Sequence, residues 1–78
     1  MTPERFRFAR AQLGLEHSDH DDKPWHRSAP KFLGVDPSTV RKWARGKAPI
    51  PPTCAILLEI MTAYRIMPND LADLNFDL

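Results

Sequence analysis

Ser38, Thr39, Arg41, Lys42, Arg45 and Lys47 fall close together in the chain, preceded by a single acid, Asp36. Hydroxyls and cationic side chains at this density suit the binding of an anion that also offers hydrogen-bonding edges, and a nucleic-acid duplex is the commonest such partner. A second group, His17, His20 and His26 with Asp19, Asp21 and Asp22 between them, holds imidazoles and carboxylates, both of which are metal ligands. Its spacing matches no compact structural site, so neither a metal nor another cofactor is expected. The segment reads as a polar loop that gains positive charge below about pH 6.5. No glycine-rich phosphate loop, no nucleophile elbow and no acid and base at a recognisable spacing occur. Neither an enzyme nor a small-molecule substrate is expected.

The net charge of +1 hides a segregation of sign. Residues 1–15 sum to +2, residues 16–22 to −4, residues 23–47 to +6 and residues 48–78 to −3. One basic block in an otherwise acidic chain implies one binding face rather than general adhesion to polyanions. Cys54 is the single cysteine among 78 residues, which excludes an intramolecular disulfide and fits a reducing compartment. No run approaches the ~20 apolar residues of a membrane span, and Met1-Thr2-Pro3-Glu4-Arg5 does not open like a secretory signal. The expected location is the cytoplasm, away from any membrane.

Local signals divide the chain into helices. Thr2-Pro3-Glu4 supplies an N-cap, a first-turn proline and an early acid, after which Phe6, Ala9 and Leu13 recur at helical spacing until Gly14. Phe8 and Leu15 lie off that stripe. Residues 16–23 contain no apolar side chain and read as a surface connector. The second helix must come from Pro24 to Leu33, with Asp22 or Ser28 as its cap. Pro30 makes it either very short, starting at Ser28, or irregular. Asp36-Pro37 caps and opens a third helix that runs to Arg45, with Gly46 as its stop. Ala48 to Pro52 forms a stiff linker. Thr53–Tyr64 then reads as a helix apolar on more than one face, which makes it the central core helix or one covered by a partner chain. The acidic segment 68–78 spaces Leu71, Leu74 and Leu78 helically, with Phe76 nearby.

The stretch from Leu33 to Lys47, with its turn glycine, capped start, inward-spaced Val40 and Trp43, and closing Gly46-Lys47, resembles the Cro and lambda-repressor type of helix-turn-helix family. The resemblance is close over residues 32–61, including Pro49-Ile50-Pro51-Pro52, and fair over residues 2–15. It implies an all-α fold: a small four- to five-helix lambda-repressor-like domain spanning 1–78, with an extended loop, residues 16–31, before or through helix two. It also implies that the helix over 36–45 enters the major groove, with base-edge contacts from Pro37, Ser38, Thr39 and Lys42, and Arg41 on a guanine or a phosphate.

Arg45 and Lys47, near the far end of that helix, suit phosphate contacts, which add affinity without sequence preference. The pattern departs from the family in the length of chain between Gly14 and Gly34 and in Pro30. Lys23, Arg27 and Lys31 are the candidates to replace the phosphate contacts that helix two ordinarily supplies. The expected function is a homodimeric, sequence-specific transcriptional regulator on an inverted-repeat DNA operator, of the phage, mobile-element or antitoxin kind. Its dimer face would come from Thr53–Tyr64 or from the tail. The alternative is a protein-interaction module of the same fold that inhibits a partner through its acidic loop or tail.

Overall fold

Thr2, Ser28 and Asp36 each precede a helix, and each puts a side-chain oxygen where the first turn leaves a backbone N–H without a partner. The structure, a computed structural model, describes residues 1–16 and 24–73. In α1, Pro3–Gln12, the N–H of Arg5 donates to Thr2 Oγ1 at 3.0 Å. In α2, Ala29–Leu33, the N–H of Lys31 donates to Ser28 Oγ at 3.4 Å. In α3, Pro37–Ala44, the N–H of Ser38 donates to Asp36 Oδ1 at 2.8 Å. The fourth helix, α4, spans Pro52–Tyr64 and starts on a proline without a side-chain cap. Two 3-10 helices, Trp25–Arg27 and Pro68–Asp73, complete the described residues.

Of the two forms open to helix two, the chain takes the short one. Pro30 sits in the first turn of α2, where an N–H would have no intrahelical acceptor, so its ring costs no hydrogen bond there. Helix three stops at Ala44, one residue before the expected Arg45, and α4 starts one residue before the expected Thr53. The segment holding Leu71 is a 3-10 helix rather than an α-helix. Leu74, Phe76 and Leu78 lie outside the described residues, as do His17, His20, Lys23 and the aspartates between them, including the candidate cap Asp22.

The neck of the connector is closed by main-chain bonds. Glu16 donates its N–H to the Arg27 carbonyl at 2.8 Å and accepts from the N–H of Ala29 at 2.8 Å. These bonds make a parallel bridge between Glu16 and Ser28, the one β pairing among the described residues. The two ends of the connector, Glu16 and Arg27 to Ala29, are thereby held side by side. Trp25 stacks on Phe32 of α2 with ring centroids 5.9 Å apart, which props the short helix from its N-terminal side.

One core collects the buried faces: Phe6 and Ala9 from α1 with Leu13 at its cap, Val40, Trp43 and Ala44 from α3, and Leu58 and Met61 from α4, with Leu15 and Ala29. Phe6 meets Trp43 edge-to-face at 5.9 Å and 87°, which locks α1 against α3 and keeps the indole inside. Leu15 is buried although it lies off the α1 stripe, because the chain turns at Gly14 and carries it back; Phe8 stays exposed. Arg5 ties α1 to α4 through both oxygens of Glu59, at 2.6 and 3.2 Å. The described residues are thus mainly helical and form no strand, with α3 held between α1 and the short α2.

Candidate nucleic-acid interface

Gly34 is left-handed at φ 69°, and the N–H of Val35 returns to the Pro30 carbonyl at 2.9 Å. This closes α2 and turns the chain within Gly34-Val35-Asp36 into α3. At the other end, Gly46 is left-handed at φ 72°. There the N–H of Lys47 reaches the Lys42 carbonyl at 2.7 Å, and that of Gly46 reaches Trp43 at 3.2 Å. Both ends of α3 are therefore fixed by local bonds, and the phase of the helix is set by its buried residues.

Successive side chains on an α-helix are about 100° apart. With Val40, Trp43 and Ala44 inward, Ser38, Lys42 and Arg45 point most directly away from the core, and Arg41 lies between them and the Ala44 edge. Arg41, Lys42 and Arg45 are exposed. Pro37, Ser38 and Thr39 are half-buried in the first turn, Thr39 on the flank next to Trp43, so they have less reach than Lys42. The Ser38 hydroxyl donates to Asp36 Oδ1 at 2.7 Å. That bond holds the Asp36 carboxyl below its usual range, helped by the Ser38 backbone N–H and by the charges of Arg41 and Lys42. The carboxylate is spent on capping the helix, and the face beyond it is cationic.

The other expected contacts are spread out. Lys47 is exposed just past the Gly46 turn, beside Met1, Pro3 and Pro49. Lys31 is exposed on α2, one element before the turn. Arg27 lines a separate depression with Leu13, His26 and Pro68, none of them on α3. Lys23 falls outside the described residues. His26 stands edge-to-face against Trp25 at 5.6 Å, and among the described residues no three ligating side chains are grouped as a metal would need.

Compared with protein-family models, with curated proteins and with solved structures, the chain has no significant match. The case for the site rests on its own geometry. One further residue belongs to it. Arg7 of α1 donates from Nη1 to the carbonyl of Ala44, at the last turn of α3. In the sequence it is one of several arginines along α1, and only the packing of α1 on α3 singles it out.

Proposed function

We propose that the chain is a sequence-specific DNA-binding transcriptional regulator with a lambda-repressor-like helix-turn-helix fold, in which α3 is the recognition helix. The observation that carries this reading is the combination on α3. Its apolar side is locked into the core by Trp43, both its ends are capped, and its outward side offers Ser38, Arg41, Lys42 and Arg45 with the nearby carboxylate already used by the cap. A rigid helix with cationic and hydrogen-bonding side chains on its free face fits the major groove. Ser38, Lys42, Pro37 and Thr39 are then the candidates for base edges, while Lys47 and Lys31 suit phosphates.

The acting form is a homodimer, paired through α4. Ile56, Ile60 and Tyr64 fall on one side of that helix and are 58%, 47% and 76% exposed, with Leu57 beside them. Apart from Glu59, whose half-exposed carboxylate is paired with Arg5, the exposed side chains from Thr53 to Tyr64 carry no charge, so two copies can meet face to face with little like-charge repulsion. Such a dimer reads an inverted repeat. Work on DNA, with Cys54 as a free thiol, fits the cytoplasm. No helix among the described residues is long and apolar enough to cross a membrane.

Lys42→Glu tests the reading. Operator binding should fall by at least ~10²-fold while the thermal midpoint stays where it was, because Lys42 is exposed and its reversal turns attraction to the duplex into repulsion. A folded Lys42→Glu protein that binds like the wild type contradicts it.

A further inference from the structure

The carbonyls at a helix C-terminus attract one cation, and Arg7 answers that demand on Ala44. Two more arginines border the same place. Arg7, Arg41 and Arg45, with Ala44, line one open hollow of about 600 Å³. No acidic side chain lines it. Glu4 makes only a long ion pair with Arg7 Nη2, at 3.9 Å and beyond hydrogen-bonding distance, with the Glu4 side chain 75% exposed. Mutual repulsion of three cations is relieved when an anion with several acceptor oxygens sits among them, and planar guanidinium groups match a phosphate in that role. The hollow joins two elements, since Arg7 comes from α1, Arg41 from α3 and Arg45 from the cap that follows α3.

We infer that this hollow grips one phosphate of the DNA backbone, held jointly by Arg7, Arg41 and Arg45. The inference rests on the DNA-binding reading and sharpens it in two ways. It assigns Arg41 to the backbone rather than to a guanine, which leaves Ser38 and Lys42 as the outward residues for base edges. It also makes α1 part of the interface, so that a phosphate bridges α1 and α3 and fixes how far α3 rolls in the groove.

The test follows the arginine Nε–H signals by NMR while a mixed-sequence duplex is added at low salt, with inorganic pyrophosphate as a second arm. Affinities of Arg7→Gln, Arg41→Gln and Arg45→Gln are measured over a range of salt. The expected result is that the three arginine signals move together on adding duplex. Each glutamine variant should weaken duplex binding and lower the slope of log K against log salt by at most about 1, the share of the one phosphate that the three hold, without changing the preferred sequence. Arg7→Lys, which keeps the charge, should restore most of that slope.

Duplex binding with the Arg7 signal unmoved and the Arg7→Gln slope unchanged overturns the clamp and leaves the DNA reading standing. Movement of all three signals with pyrophosphate, but no binding of duplex, makes the hollow a site for free phosphates and overturns both. No response in either arm overturns both as well. If Arg7→Gln melts below the working temperature, Arg45→Gln carries the same test, because Arg45 is an exposed residue already past the end of α3.

Discussion

Asp36 accepts from both the main-chain N–H and the hydroxyl of Ser38, so one carboxylate starts α3 and orients the first side chain on its free face. Because the folded carboxyl titrates below its ordinary value of 3.8, its capping contribution is in place above that pH and is lost as the pH falls through the lower, folded value. Ser38→Ala removes the largest cause of the shift, and a carbon-detected NMR titration should show the Asp36 midpoint moving back up. An unmoved midpoint would mean that the hydroxyl bond is absent in solution. Arg65 offers a second test. It ends α4 in the left-handed region at φ 55°, the one described residue other than glycine with positive φ, and the N–H of Ile66 returns to the Met61 carbonyl at 2.9 Å. Glycine adopts that conformation without the steric cost, though it also loses more freedom on folding. Arg65→Gly should stabilise the fold by roughly 0.5–1 kcal/mol and raise the midpoint by a few degrees, read by thermal denaturation. A lower midpoint would show that the arginine side chain contributes more than its backbone costs.

At the scale of elements, the beginnings and ends of helices were legible because they are set by short-range chemistry. Thr2, Ser28 and Asp36 cap as their residue types suggest, and Gly14, Gly34 and Gly46 all take positive φ. The two stops that frame α2 and α3 are not equivalent. A Cβ on Gly34 would meet nothing within 4 Å, whereas one on Gly46 would lie 3.1 Å from Pro3 Cγ. Gly34→Ala should therefore cost about 1–2 kcal/mol of backbone strain. Gly46→Ala should cost more, since the start of α1 must also yield, and chemical denaturation of the two variants would rank them. The reverse order would mean that the Pro3 contact is loose. Pro30 was ambiguous in the sequence because its effect depends on where the helix begins, and only the Ser28 cap places it in the first turn. The Glu16–Ser28 bridge and the reach of Arg7 to Ala44 left no linear signal, because each joins segments that meet only after the core has formed. The candidate site was legible in part for the same reason: Arg41, Lys42 and Arg45 share a helix face by spacing, but the separation of Arg27 from that face is a matter of packing.

For the whole molecule, a small core leaves an apolar face of α4 uncovered, and the proposed dimer accounts for it. Ile60→Arg should shift sedimentation toward the monomer. It should also weaken operator binding by ~10-fold or more, because an inverted repeat is read with high affinity only when two recognition helices are coupled. A variant that stays dimeric would move the interface elsewhere. The charge pattern acts at this scale too: the basic block that includes α3 stands against acidic segments on either side of it in sequence, which favours one orientation of approach to a duplex. The most direct test of the central claim is a titration of the purified protein against the DNA upstream of its own gene. It follows fluorescence anisotropy at two salt concentrations, with a scrambled duplex as control. The account predicts a Kd in the nanomolar range at one site, at least ~10³-fold tighter than on the scrambled duplex, with both affinities falling as salt rises. Equal, weak and salt-sensitive binding to duplexes of every sequence, the upstream region and a randomised pool included, would contradict it and favour a fold of this kind turned to a protein partner.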